Sequence, residues 1–186
     1  MKSKISRITT FKNMLNSIFT ENEIETLVLE LDKMDFFTAP ASTRYHGNYE
    51  GGLFDHSFEV TIALLDFTEK LGLTWQRSAS PYIVGLFHDL CKTDNYVLTE
   101  DGTYTYNKNI LLNGHGEKSV ILAQMLLSEI GTTLSEEEIL CIRWHMGAFD
   151  EKENWSAYGL ACTKYPNVLY THTADMVASK VVGIWM

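Results

Sequence analysis

His88 and Asp89 stand side by side in "GLFHDLCK", residues 85 to 92, with Lys92 three positions after the aspartate. Imidazole nitrogen and carboxylate oxygen are good donors to divalent transition ions, and the two oxygens of Asp89 let it bridge a pair of them. On a helix, Lys92 is i+4 from His88 and i+3 from Asp89, so its ammonium shares their face and could meet a phosphate oxygen beside a metal. Taken alone, the dipeptide also reads as a hydrogen-bonded core histidine beside a solvent-facing aspartate at a helix end.

The rest of the chain extends the pattern. His56, His88, His115 and His145 each fall at the start or end of a predicted helix. They are separated by 32, 27 and 30 residues, and Asp175 lies 30 residues beyond His145. That is one candidate donor per helix, and a helical bundle is a rigid frame for directing such donors inward. His46 is expected in a loop nearer the rim. His172, three residues before Asp175, is expected on a neighbouring face, where it packs or supports a ligand. Lys118 and Arg143 are candidate phosphate contacts and read equally as solvated charges. Cys91 lies in the same stretch and reads as a nucleophilic thiol or, more commonly, a buried free cysteine.

The elements that must position these residues are mostly helical. "TENE" at 20 to 23 is a capping-box pattern ahead of the apolar "IETLVLEL". A long helix is predicted from about 53 to 71, with Gly72 as its stop, and Ser80 and Pro81 fit the N-cap and first turn of the helix that ends in the His-Asp stretch. Between 94 and 109, polar residues alternate with aromatic or apolar ones around Asp101-Gly102, which predicts a hairpin. Helices follow from about 117 to 130 and after a second capping box, Ser135 with Glu138; a loop is expected over 147 to 156 and a last helix after Pro166. Ile5, Ile8, Phe11, Leu15 and Ile18 predict an amphipathic first helix. Its basic residues mimic a leader without a secretory apolar core.

Composition bounds the function. With 186 residues, 45% of them hydrophobic, the chain fits one domain with a sizeable core. A net charge of −9 disfavours sequence-independent binding of long duplex DNA, which depends on neutralising phosphates, but says little about a small nucleotide. No run is long enough to span a bilayer. Three widely spaced cysteines suit a reducing cytoplasm, so a cytoplasmic location is expected.

In this ordered set the sequence resembles the HD superfamily of metal-dependent phosphohydrolases, whose pattern is a histidine, a His-Asp pair and a distant aspartate, all from helices. The resemblance covers roughly residues 45 to 182 and assigns His56 in "GGLFDHSFEV" to the first histidine, His88 and Asp89 to the pair, and Asp175 in "THTADMVASK" to the distant aspartate. His115 in "NGHGEKS" and His145 in "IRWHMG" match the two extra histidines of the two-metal branch. It implies an all-α HD-domain bundle with one small β-hairpin insertion: a single domain over 1–186, with helices of 1–44 packed on a core of 45–182. It further implies one or two divalent ions, iron, manganese, cobalt, nickel or zinc, with magnesium a further candidate.

The expected chemistry is hydrolysis of a phosphate ester or anhydride by metal-activated hydroxide, with Asp89 shared between ions and Lys92 stabilising phosphoryl charge. Short length and acidic charge favour a small nucleotide as substrate. The alternatives are a 3′–5′ exonuclease of the same superfamily and a catalytically silent nucleotide-sensing module.

Overall fold

A computed structural model describes residues 2–183. Its described residues form eight α-helices and one two-stranded antiparallel hairpin, matching the all-α bundle with a small hairpin expected from the sequence. Helix α1 (Lys4–Leu15) is capped by Ser3, whose hydroxyl accepts from the Ser6 amide. Its inward face departs from the expected apolar stripe: Phe11 and Leu15 are buried, Ile5 is exposed, and Arg7 is buried instead. Arg7 tolerates burial because its guanidinium grips Asp55 at two points, Nε to Oδ1 at 3.2 Å and Nη2 to Oδ2 at 3.0 Å.

Helix α2 (Glu21–Lys33) opens with the expected capping box of Thr20 and Glu23 and buries Leu27 and Leu31. Phe36, Phe37 and Phe54 then meet, with ring centroids 5.4 to 5.9 Å apart. Each fully buried side chain of this size contributes about 1.5–3 kcal/mol relative to exposure. Helix α3 (Gly52–Leu71) ends at Gly72 as predicted, and α4 (Ser80–Phe87) follows.

Ser80 does not cap α4, as the sequence suggested; Ala79 holds that position and Ser80 is already helical. The Ser80 hydroxyl instead donates to buried Glu138 at 2.8 Å. Glu138 completes the expected capping box of α6 (Glu136–Trp144) with Ser135 and also receives Arg77 at 2.8 and 2.6 Å. A local cap thereby ties α6 to the segment leading into α4.

The hairpin pairs β1 (Tyr96–Leu98) with β2 (Tyr104–Tyr106), setting Tyr96 opposite Tyr106. Helix α5 (His115–Ser128) begins two residues before the predicted start. Part of the expected 147–156 loop is instead 3₁₀ turns, and α7 (Trp155–Lys164) follows unanticipated; it buries only Ala161, so it carries no apolar stripe to read. Helix α8 (Asn167–Val177) continues into a π-helical turn, Ala178–Val182.

Helix α3 lies against α4 and α8, α5 against α6, and α6 against α8. Two glycines set the closest approaches. A Cβ on Gly85 would lie 2.6 Å from the Cα of Thr61, and one on Gly116 would lie 2.2 Å from the Arg143 carbonyl oxygen. Hence α4 presses on α3, and α5 on α6, at levels only a side chain's absence permits. Among the described residues, no helix is long and apolar enough to cross a membrane.

Candidate metal centre

The close helix pairs bring helix ends together. His56 stands at the start of the second turn of α3, His88 caps the C-terminus of α4, His115 opens α5 and His145 caps the C-terminus of α6. Asp89 follows His88 where the chain turns into a 3₁₀ turn, Leu90–Thr93, and Asp175 comes from α8. All six side chains converge. His88 and His145 are fully buried, and His56 and Asp89 nearly so.

Asp89 lies at the centre, and its two oxygens face different partners. Oδ2 is 3.4 Å from His56 Nε2 and 3.4 Å from His88 Nε2, and His56 Nε2 is 3.1 Å from Asp175 Oδ1. Oδ1 is 2.9 Å from His115 Nε2 and 3.4 Å from His145 Nε2. Donor groups including His56–His88–Asp175 and His88–Asp89–His145 have their ligand atoms within 4.8 Å of one another, close enough to hold a metal ion.

Ring orientation is set by the backbone. His88 Nδ1 lies 2.9 Å from the Gly85 carbonyl and His145 Nδ1 lies 2.7 Å from that of Ile142. A carbonyl only accepts, so each Nδ1 carries a proton and each Nε2 is aimed at the centre. Asp89 Oδ1, His115 Nε2 and His145 Nε2 are buried, close together, and complete no hydrogen bond among the described residues. Buried polar atoms are normally satisfied. Imidazole nitrogens and carboxylate oxygens converging on one buried point are the donor chemistry that a divalent cation fits.

Electrostatics agree. Burial works against the charge on Asp89, yet Lys92 and the surrounding histidines hold its pKa well below the usual carboxylate value. Burial likewise opposes charge on Asp175, and His56 outweighs it. Burial keeps His88 and His115 below the ordinary histidine value, in the neutral form that ligates. For His56 and His145 burial acts the same way, but the carboxylates outweigh it and raise both. A cation is favoured at this spot, and protons on those rings occupy the place a metal would take.

A cavity of about 400 Å³ opens onto Asp89, His115 and Asp175. Lys92 lines it, with Nζ 2.7 Å from Asp89 Oδ2. The structure does not bring Lys118 and Arg143 to this cavity. Lys118 is buried and turned to Asp94 and Asn95. Arg143 stacks on Trp144 and pairs with Asp150 at 2.6 Å and Glu117 at 2.7 Å.

Lys180, which sequence reasoning passed over, does line it and has no carboxylate partner among the described residues. Its position on α8's extension, five residues beyond Asp175, was the available signal. His46 lies deeper than a rim position suggests, its ring 4.8 Å from that of His56, and burial, followed by His56 and Lys92, lowers its pKa to about 4. His172 supports a neighbour, with Nδ1 2.8 Å from the His145 carbonyl. Cys91 is fully buried with its thiol pushed up to about 12 by burial and Asp89, so it stays protonated.

A segment of 71 residues is 38% identical to the dihydroneopterin 2′,3′-cyclic phosphate phosphodiesterase of Methanocaldococcus jannaschii, covering 37% of this chain and 28% of that protein. The match thus spans little more than a quarter of the relative's length. No family model matches the chain, and no solved structure matches it.

Proposed function

We propose that this chain is a metal-dependent phosphodiesterase of the HD type that hydrolyses a phosphate ester of a small nucleotide-like molecule, with a cyclic phosphate as the first candidate. The division of Asp89 carries the reading: one oxygen faces His56 and His88, the other His115 and His145. A single carboxylate between two imidazole sets suits a pair of ions a few ångströms apart. When bound, such ions supply Lewis acidity, lowering the pKa of water and polarising a phosphoryl oxygen. The partial similarity to a cyclic phosphate phosphodiesterase supports the same class of reaction.

The chain's own residues hold and orient. His88 and His145 keep their Nδ1 protons on backbone carbonyls, so their Nε2 atoms stay available as donors. Lys92, partly buried beside Asp89, offers an ammonium to the phosphoryl oxygens where negative charge builds. The buried floor excludes bulk water, which strengthens each of these contacts. Lys180 at the wall adds positive charge where an anionic substrate enters.

Elemental analysis of protein purified without chelator tests the centre, and close to two transition ions per chain are expected. Bis-p-nitrophenyl phosphate and a nucleoside 2′,3′-cyclic phosphate should both be hydrolysed, with Asp89→Asn abolishing turnover. Full activity after exhaustive chelation, or in Asp89→Asn, refutes the reading.

A further inference from the structure

The cavity over Asp89 has a polar floor and an aromatic mouth. Tyr45, Tyr96, Tyr106 and Phe149 all line it, and they come from three separate segments: the loop before α3, the hairpin, and the 3₁₀ turn after α6. Tyr45, Tyr106 and Phe149 are 77%, 66% and 65% exposed. Exposed aromatics are unremarked singly, but rings gathered around one cavity mouth from three segments are a feature of ligand sites. Tyr96 and Tyr106 are directly opposed across the hairpin with centroids 5.4 Å apart, so the register itself builds a two-ring wall. The inner ring of that wall, Tyr96, is pushed up to about 12 by burial, with Asp89 adding to it against Lys92, and so remains a neutral phenol.

We propose that this aromatic mouth is a platform for a planar heterocycle, so that the substrate is a cyclic or simple phosphate ester carrying an aromatic base or comparable ring, held by the hairpin tyrosines and Phe149 while its phosphate reaches Lys92 and Asp89. The proposal rests on the phosphodiesterase reading above. The cavity's chemistry divides as such a molecule does. The floor carries candidate metal donors and an ammonium for the phosphate, and the mouth carries π-faces, that of Tyr45 with Lys180 Nζ 5.9 Å from its centroid. Stacking on aromatic side chains tolerates many rings, because every base has a π-face. The hairpin is thereby given a task, selecting ring-bearing esters over ring-free ones.

The test uses Tyr106→Ala and Phe149→Ala, singly and combined, because both side chains are exposed and their removal leaves the core intact. Guanosine 2′,3′-cyclic phosphate is compared with glycerol 1,2-cyclic phosphate, which has no ring. For the double variant, kcat/KM on the guanosine ester should fall on the order of tenfold or more, through KM, with no comparable loss on the glycerol ester. Equal loss on both, or loss on neither, overturns the platform.

Calorimetric binding of guanosine 3′-monophosphate against glycerol 2-phosphate reads the platform without turnover. The nucleotide should bind tighter to wild type and lose that advantage in the double variant. A wild-type protein that binds both equally refutes the platform, whereas binding with the expected preference but no turnover of either ester refutes the phosphodiesterase reading alone.

Discussion

Replacing Arg7 by Met removes one half of a buried ion pair and should be among the most damaging single changes outside the candidate metal centre. The Arg7 and Asp55 side chains are only 2% and 7% exposed, and the guanidinium lies on the Gly51 backbone, where a Cβ would stand 2.1 Å from Arg7 Cζ. Breaking such a pair leaves an uncompensated carboxylate, at a cost of about 3–5 kcal/mol. The Tyr49 hydroxyl, donating to Asp55 at 3.2 Å, is retained, and half-exposed Lys2, 3.9 Å away, recovers at most ~1 kcal/mol.

A net loss of about 3 kcal/mol lowers Tm by roughly 6–12 °C in a chain of this size. Urea and thermal unfolding of Arg7→Met, Asp55→Asn and the double variant measure it as a cycle, in which the double should be at least ~2 kcal/mol better than the sum of the singles. Because Asp55, in the first turn of α3, directly precedes His56, metal content should fall in Arg7→Met as well. Additive singles, or an Arg7→Met protein within ~0.5 kcal/mol of wild type, would sink the assignment of this pair as the anchor of α3.

Three further substitutions probe the centre. Gly116→Ala drives a Cβ to 2.2 Å from the Arg143 carbonyl, so α5 and α6 must part; a cost of about 1–3 kcal/mol in urea unfolding is expected, together with a metal stoichiometry falling from two toward one. Lys92→Ala should keep its metals by elemental analysis while turnover slows ~10²-fold or more, and unchanged kinetics would strike it from the catalytic residues. Lys180→Ala should raise KM up to about fivefold with kcat held, since its ammonium is exposed at the cavity wall, beside the Tyr45 ring, and attracts the entering anion through solvent.

What the sequence determined by itself was local. Both capping boxes, the Gly72 stop and the Asp101-Gly102 hairpin depend on residues within a few positions of one another, and all appear in the structure. The four histidines were recognisable because each falls at a helix end at near-regular spacing, Asp89 and Asp175 joined them through the resemblance to the HD pattern, and the structure gathers all six at one point. Helix α7 escaped because it buries a single residue and leaves no periodic trace.

The remainder was decided by tertiary packing. Arg7 finds Asp55 across 48 residues and Ser80 finds Glu138 across 58, so neither partner is visible in a local pattern. Lys118 was placed by type and proximity to His115, but its partners in the structure are Asp94 and Asn95, under the start of the hairpin. Which oxygen of Asp89 faces which histidines, and which aromatics ring the cavity, follow from how closely α3 meets α4 and α5 meets α6. Those distances are set by backbone against backbone at Gly85 and Gly116, a contact between surfaces that no single stretch of chain contains.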